Sequence, residues 1–331
     1  MAESLLKVKD LKVHYRVRSE AFAFGHKQIL KAVDGVSIDL APAEILGLVG
    51  ESGCGKSSLG RAIIRLTKPH SGHVEMGGVD FLALRGKALR EFRSKIQMIF
   101  QDPYASLDPR MTVFDILAEP VRAHVRLKYI GLTKKVKHAL DMVGLSFRSS
   151  RKYPHEFSGG QRQRIAIARA LILEPQVIIA DEPVSSLDVS VQAQILNLLK
   201  EIQSRLHLSM IFISHNLAVV KYISDRIAVM YLGKIVEVAS RDDLYSKPQH
   251  PYTQALVSAV PIPDPRLERS RMHIAVKGEL PSPISPPPGC SFHTRCPLAF
   301  EKCRIDVPQL KHYEGGSRQV SCWEVDDRLS H

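Results

Sequence analysis

The sequence predicts an α/β fold in which helices cover a largely parallel β-sheet. Short apolar runs rich in Val and Ile alternate with longer amphipathic segments between about residues 5 and 245. Strands buried on both faces have this composition, and strands that alternate with helices favour a parallel sheet. A glycine-rich loop between one such strand and a helix points to the same class. A proline- and cysteine-rich C-terminal extension follows.

The predicted elements come from hydrophobic periodicity. Apolar residues recur at three- and four-residue steps in two segments, which predicts amphipathic helices there. These helices cover residues 134–145 and 192–206. The short apolar runs predict strands at residues 44–50, Val177–Asp181, 210–214 and 227–231.

Composition narrows the class of protein. The chain has 331 residues, 44% hydrophobic and 24% charged, so it is not mostly disordered. No apolar window approaches ~18 residues, so no transmembrane helix is predicted. The charged N-terminus does not resemble a secretory signal, so we expect a cytosolic or peripheral membrane protein. The net charge of +12 fits a nucleic acid, an anionic membrane, a nucleotide or an ordinary solvated surface.

The segment Gly50-Glu-Ser-Gly-Cys-Gly-Lys-Ser57 fits the phosphate-loop pattern G-x-x-x-x-G-K-[ST]. Its glycines let backbone N–H groups turn toward one point, and the following helix adds its positive N-terminal end. Lys56 would reach the β- and γ-phosphates of ATP, and the Ser57 hydroxyl would ligate Mg²⁺. The predicted nucleotide-binding residues here are Gly50, Glu51, Ser52, Gly53, Cys54, Gly55, Lys56, Ser57 and Ser58.

Cys54 is predicted to fill space in this loop. A helix N-terminus also lowers thiol pKa values, so some sensitivity to alkylation is expected.

Two acids follow an apolar strand at Asp181 and Glu182. Alternate residues of a strand face opposite sides, so the two carboxylates should have different roles. Asp181 is expected to hold Mg²⁺ and Glu182 to polarise the attacking water. His215 follows another strand, where it either reaches the γ-phosphate or is a structural histidine.

The segment Phe157-Ser-Gly-Gly-Gln161 resembles the signature loop of ATP-binding cassette (ABC) ATPases, with Phe157 in place of the usual Leu. It also begins a predicted helix, so it is a second anion-binding helix N-terminus. The resemblance implies a head-to-tail dimer in which each signature loop caps the ATP held by the other subunit. The residues concerned are Ser158, Gly159, Gly160 and Gln161.

Other positions match this family in order. Gln101 resembles the Q-loop residue that senses Mg²⁺ and water, Asp188 the D-loop that crosses the dimer, and His215 the switch histidine. Tyr15 lies where the family stacks an aromatic ring on adenine, the alternative being local packing. The resemblance implies a P-loop NTPase cassette over residues 1–245. It would have a RecA-like core, a helical subdomain near residues 103–160 and an antiparallel β edge.

Residues 246–331 resemble the C-terminal extension of oligopeptide and dipeptide importer ATPases. The matching segments are His250-Pro-Tyr-Thr-Gln254, Pro286-Pro-Pro-Gly-Cys290 and the run from Phe292 to Pro297. Relatives with this extension also serve nickel and some other small solutes. Residues 21–28 resemble an insertion in the second, F-type, ATPase of such importers.

Four cysteines lie in this extension with the spacing C-x5-C-x6-C-x18-C. The spacing is neither that of common zinc sites nor that of ferredoxins, so it leaves a cluster, zinc and free thiols open. Without an export signal, a disulfide framework is disfavoured. The family resemblance implies a structural [4Fe–4S] cluster, with His293 and His312 as alternative ligands. The cysteines are Cys290, Cys296, Cys303 and Cys322.

The resemblance implies an ATP-hydrolysing motor subunit that energises uptake of di- and oligopeptides. Its expected partners are a second ABC ATPase, either a related chain or an identical one, and two membrane-embedded permeases. A solute-binding protein would act indirectly, and no nucleic acid partner is expected. The expected location is the cytoplasmic face of the inner membrane. Alternatives are uptake of nickel or another solute, a non-transport ABC ATPase acting on nucleic acid or ribosomes, and a regulatory ATP-binding module.

Overall fold

The structure is a computed structural model that describes residues 4–18, 27–261, 278–313 and 318–329. The chain divides into two compact units. Unit 1 comprises Met1–Leu6, Leu40–Ile45 and Glu75–Ile213. Unit 2 comprises Lys7–Asp39, Leu46–Val74 and Ser214–His331.

Apart from the first two, the strands are short. In chain order they are β1 (Leu6–Arg18), β2 (Lys27–Leu40), β3 (Ile45–Val49), β4 (Ser71–Met76), β5 (Val79–Asp80), β6 (Ile96–Ile99), β7 (Val177–Asp181), β8 (Ser209–Ile213), β9 (Arg226–Tyr231), β10 (Lys234–Ser240), β11 (Lys311–Tyr313) and β12 (Arg318–Val320).

The α-helices fall between and after these strands. They are α1 (Lys56–Ile63), α2 (Gly86–Lys95), α3 (Pro103–Ser106), α4 (Val113–His124), α5 (Tyr129–Met142), α6 (Gly159–Leu171), α7 (Val189–Leu206), α8 (Leu217–Ile223), α9 (Arg241–Ser246), α10 (Pro251–Ser258), α11 (Glu301–Ile305) and α12 (Trp323–Leu329). Short 3₁₀ helices cover Phe147–Arg151 and Pro154–Glu156.

Unit 1 contains a parallel set of three strands in the order β6-β7-β8. Every residue of β7 and β8 is buried, as expected for strands covered on both faces. Helix α6 packs on β6, and α4, α5 and α7 pack on α6. The apolar faces of these helices therefore pack together in a shared core.

In unit 2 a parallel pair, β3 and β9, continues into an antiparallel edge. Strand β10 pairs antiparallel with β9, then with β12, and β12 pairs with β11. The last two strands come from the C-terminal extension, so the extension adds to the sheet that carries β3. In a second sheet, β1 lies between β2 and β4.

The predicted elements differ from the observed ones mainly at helix starts. The observed strands lie within one residue of the predicted bounds, whereas α5 and α7 begin earlier than residues 134 and 192, and α5 ends at Met142 instead of residue 145. The first turn of α5 exposes Tyr129 and Ile130, which are 71% and 72% accessible, so its apolar periodicity starts later than the helix. Helix α7 begins at Val189, directly after its cap Asp188, and Val189 is exposed, so the buried apolar positions again start later than the helix.

Among the residues that the structure describes, no helix is long and apolar enough to cross a bilayer. Residues 21–26 of the insertion at residues 21–28 lie outside the described ranges.

Gly47 in β3 marks a close contact with helix α8. A Cβ at Gly47 would overlap Val220 Cγ1 and lie 2.5 Å from Ser224 Oγ. We therefore expect Gly47→Ala to lower the free energy of unfolding by about 1–3 kcal/mol, the usual cost of overpacking. The control is Gly131→Ala in α5, where the nearest atom would be 3.9 Å away. Ala is the better helix former, by up to about 1 kcal/mol. Denaturant titration should move the two midpoints in opposite directions, and equal midpoints would contradict this packing.

Candidate phosphate-binding site

The predicted phosphate loop joins β3 to α1 in unit 2. Gly50 and Gly55 have positive φ values of 155° and 106°. A Cβ at Gly55 would overlap the carbonyl oxygen of Ala32, and one at Gly50 would overlap that of Met230. The loop thus packs directly against the backbone of two neighbouring strands, and only glycine fits at these two positions.

Lys56 is the first residue of α1, and its side chain folds along the loop. Its Nζ donates to the carbonyl oxygens of Gly50 (2.8 Å) and Glu51 (3.0 Å). The residue is buried, so its charge acts in a medium of low dielectric constant. Together with the N–H groups at the start of α1, this ammonium makes the loop a candidate anion site.

Cys54 is buried in the same loop, 3.8 Å from Lys56 Nζ. Burial raises the pKa of its thiol, and this outweighs the lowering by the Lys56 charge. The expected lowering of the thiol pKa is therefore wrong, and the alkylation sensitivity stays a prediction. The expectation that Cys54 fills space agrees with its burial.

Two predicted residues from other segments of unit 2 lie near this loop. The Tyr15 hydroxyl donates to Ser58 Oγ at 3.3 Å, which places the tyrosine beside the start of α1. Ser214 N donates to Leu48 O at 3.1 Å, and Leu48 belongs to β3, the strand that leads into the loop. The next residue, His215, is exposed.

The acidic pair ends β7 in unit 1, where the two carboxylates occupy different environments. Asp181 is fully buried, whereas Glu182 is partly exposed. Gln101 Nε2 donates to Glu182 Oε2 at 3.2 Å, so the structure brings these two predicted residues together. Glu182 also has a φ of 46°, a left-handed conformation that is unfavourable for a residue with a Cβ.

The signature segment forms the N-terminus of α6, also in unit 1. Ser158 Oγ accepts from Gln161 N (3.4 Å), and Gln161 Oε1 accepts from Ser158 N (3.1 Å), which is a capping box. Phe157 is buried. A Cβ at Gly160 would lie 2.5 Å from Val191 Cγ1, so Gly160 allows α6 to approach α7.

Asp188 caps helix α7, a role that was not expected from its position in the D-loop pattern. Its Oδ1 accepts from Val191 N at 2.9 Å and from the Ser190 hydroxyl at 2.7 Å. These hydrogen bonds lower the pKa of the carboxyl group. An Asp before an amphipathic helix is a capping signal that could have been recognised in the sequence.

The four extension cysteines form no disulfide, and Cys303 and Cys322 are buried. Burial, with a smaller contribution from neighbouring thiolates, raises the pKa of Cys296 to about 11 and that of Cys322 to about 12. The neighbours are Cys290 and Cys303 for Cys296, and Cys290 and Cys296 for Cys322. Cys290 N also donates to Cys303 O at 2.8 Å.

The described residues contain no group of three or more His, Cys, Asp or Glu side chains that could hold a metal ion. The predicted [4Fe–4S] cluster is therefore not supported by the structure and stays a prediction.

Comparisons with known proteins cover both parts of the chain. Residues 33–185 match the ABC transporter family, and residues 236–303 match the C-terminal region of oligopeptide/dipeptide transporters. The oligopeptide transport ATP-binding protein OppF of Salmonella typhimurium is 55% identical over 325 residues, covering 97% of this chain and 96% of the relative. The chain belongs to the ABC transporter family of oligopeptide transport ATP-binding proteins. OppF of Escherichia coli is 54% identical over the same shares of both chains.

Solved structures confirm the ABC cassette fold. A dimeric, post-hydrolysis structure of the ATP-binding cassette MJ0796 with ADP and Pi superimposes with a TM-score of 0.63 at 28% identity, covering 71% of this chain and 98% of that one. CbiO1 of Clostridium perfringens gives 0.63 at 27% identity, with 74% and 92% covered. The family and fold are thus confirmed, whereas the roles of individual residues and the division at residue 245 stay predictions.

Sequence reasoning missed two residues of the C-terminal extension that contact the phosphate loop. Tyr252 and Arg295 both bond to Glu51. The motifs that contain them were recognised, but a separation of 201 or more residues leaves no local pattern to connect them with the loop.

Lys56→Ala tests the phosphate loop directly. Removing the ammonium group should weaken Mg-ATP binding at least about tenfold, because charge-assisted contacts to phosphate contribute roughly 1.5–3 kcal/mol. Calorimetric titration of the purified protein with ATP measures the change. Lys68→Ala, an exposed lysine beyond α1, is the control and should bind as the wild type does. Unchanged affinity in Lys56→Ala would exclude Lys56 from the site.

Proposed function

We propose that the chain is the ATP-hydrolysing motor subunit of an ABC importer for di- and oligopeptides. The observation that carries this proposal is the similarity to OppF, which extends over 97% of the chain. It includes the ABC region with the phosphate loop and the C-terminal region named for oligopeptide and dipeptide transporters. That second match favours peptides over nickel or another solute, and over a role on nucleic acid or ribosomes.

ATP binding depends on a small set of side chains. The buried Lys56 ammonium and the N–H groups at the start of α1 attract the β- and γ-phosphates. The family resemblance assigns the oxygen ligands of Mg²⁺ to Ser57, Gln101 and Asp181, and the bound ion would neutralise charge on the phosphate oxygens. Tyr15 offers its ring to adenine, since its hydroxyl is anchored on Ser58.

Hydrolysis requires a positioned water molecule and a group that accepts its proton. Glu182 is partly exposed at the end of β7, and Gln101 holds one of its carboxylate oxygens. Glu182 would accept the hydrogen bond of the attacking water and orient it, while His215 steadies the γ-phosphate. The intact Glu182 and His215 favour an ATPase over a regulatory module that only binds ATP.

Two cassettes complete each site. Ser158 is exposed at the N-terminus of α6, and Val189, beside Asp188, is 82% accessible. These surfaces fit a head-to-tail dimer in which the signature loop of one chain caps the ATP of the other. The preferred partner is a related ABC ATPase, with a second copy of this chain as the alternative.

The motor would work at the cytoplasmic face of the inner membrane. Closing and opening of the cassette pair would move two permease subunits between their access states. The peptide is delivered by a solute-binding protein on the other side of the membrane, and it need not contact this chain. Nucleic acid is not a partner in this scheme.

Glu182→Gln separates ATP binding from hydrolysis. The amide cannot accept the proton of water, so phosphate release should fall by about 10²–10⁴-fold, the range typical of a general base. ATP binding should persist, and a closed dimer with the partner ATPase should accumulate in size-exclusion chromatography.

Uptake of a labelled tripeptide by cells that carry the whole transporter should also stop in Glu182→Gln. The matched control is Glu201→Gln, an exposed carboxylate on α7, which should leave turnover and uptake unchanged. Wild-type phosphate release in Glu182→Gln would remove Glu182 from the chemistry. ATP turnover without peptide uptake in the wild type would contradict the transport assignment.

The four cysteines would hold a [4Fe–4S] cluster, with zinc as the alternative. Support comes from the match to the C-terminal region of oligopeptide/dipeptide transporters, which includes Cys290, Cys296 and Cys303, and from the hydrogen bond between Cys290 N and Cys303 O. Four thiolates are the usual ligands of such a cluster. Bound there, the cluster would cross-link loops that are rich in proline and poor in core residues.

Cys296→Ser tests this cluster. Wild-type protein purified without oxygen should be brown and contain about four iron atoms per chain, as four-iron clusters require. Cys296→Ser should lose most of the colour and iron, whereas Cys54→Ser, a cysteine outside the extension, should keep both. Colourless protein with stoichiometric zinc would select the zinc alternative, and metal-free protein would contradict both.

A further inference from the structure

The C-terminal extension reaches the phosphate loop through an ion pair between Arg295 and Glu51. Arg295 Nη1 donates to both carboxylate oxygens of Glu51, at 3.1 and 3.0 Å. The side chains are only 9% and 29% accessible, so this contact lies largely out of water. Such a pair is screened less than a surface salt bridge, and removing one partner leaves the other charge partly buried and uncompensated.

A second contact from the extension fixes the backbone of the same residue. The N–H of Glu51 donates to the hydroxyl oxygen of Tyr252 at 3.0 Å. Tyr252 is fully buried, and its ring lies 4.7 Å from that of Tyr231 and 5.4 Å from that of Phe292. The phosphate loop is therefore held at one residue by both a side-chain and a backbone contact.

The position of Arg295 is itself set by the fold of the extension. Arg295 N donates to Phe292 O at 3.0 Å, and Phe292 is buried against the rings of Tyr231, Tyr252 and His250. Arg295 also lies 5.9 Å from the centre of the Tyr231 ring and precedes Cys296 in the sequence. The guanidinium is thus presented by a packed loop and not by a free surface side chain.

The charge of Glu51 matters because of where it lies. The carboxylate directly follows Gly50, and Lys56 Nζ donates to the carbonyl oxygens of these two residues. Burial is the main cause of the raised pKa of the Cys54 thiol, and the nearby charge of Glu51 adds to it. A carboxylate so close to an anion site repels phosphate unless a cation offsets it.

We propose that Arg295 and Tyr252 are positioning residues of the phosphate loop, which act on nucleotide binding through Glu51. Arg295 offsets the Glu51 carboxylate, and Tyr252 holds the loop backbone, so ATP affinity depends on the C-terminal extension. This inference rests on the proposed function, since it concerns the same ATP site. If the contacts of Arg295 and Tyr252 with Glu51 had only a structural role, they would stabilise the protein whether or not Glu51 is charged.

The test compares ATP binding by full-length variants. Arg295→Ala should raise the Kd for Mg-ATP about tenfold, as expected when a shielded carboxylate loses its charged partner. The ATPase KM should rise with little change in kcat. Replacing Glu51 by Gln in the Arg295→Ala protein should restore most of the affinity, and Arg295→Lys should retain part of it. High salt should reduce the difference between Arg295→Ala and the wild type.

Arg304→Ala is the matched control, because Arg304 is an exposed arginine beside Cys303. It should bind ATP as the wild type does. Unchanged affinity in Arg295→Ala would overturn the proposal, and so would a loss that Glu51→Gln does not restore. If Arg295→Ala does not fold, the test uses Tyr252→Phe instead. A several-fold rise in the Kd of this variant for Mg-ATP would support the proposal, and a Kd equal to that of the wild type would overturn it. Wild-type protein that binds no ATP would instead contradict the proposed function.

Discussion

The site depends on a loop whose backbone N–H groups must face one point, a shape that the loop cannot hold alone. It is held by close contacts with backbone atoms of other strands. Gly55 lies against Ala32 of β2 and Gly50 against Met230 of β9, with no space for a side chain. Gly233 N, in the turn between β9 and β10, donates to Cys54 O at 2.9 Å. Contacts from β2, β9 and the turn after β9 therefore shape the phosphate loop, residues 50–57.

The C-terminal extension belongs to this support. Strand β12 pairs with β10, and both sides of residue 245 lie in unit 2. Glu237, fully buried in β10, accepts the N–H groups of Gln249 (3.0 Å) and His250 (2.9 Å), which fixes the entry into α10. Burial raises the pKa of this carboxyl, and these hydrogen bonds partly compensate. The segment that carries Tyr252 is thus tied to the sheet before it reaches the loop.

The sequence predicts the parts of the fold that depend on local pattern. The strands at Val177–Asp181 and near Ile45–Val49 are buried on both faces, and their Val- and Ile-rich runs gave their positions closely. Strands β11 and β12 are three residues each, too short for a periodic signal. The contacts of Glu51 depend on long-range packing, and burial reversed the expected shift at Cys54. Local sequence motifs therefore identified the candidate site, whereas the contacts that hold the phosphate loop in place come from residues distant in the sequence.

In unit 1, the conformation of Glu182 likewise depends on contacts with residues distant in the sequence. Its left-handed backbone costs about 1–2 kcal/mol in a non-glycine residue, so neighbouring contacts must hold it. Glu182 N donates to Ile213 O of β8 (3.0 Å), and Gln101 binds the carboxylate (3.2 Å). Asp181 is buried, whereas Glu182, the next residue, is partly exposed. In the proposed hydrolysis, a carboxylate fixed in this way would need little reorganisation to orient water, which is the advantage that a preorganised group has over a mobile one.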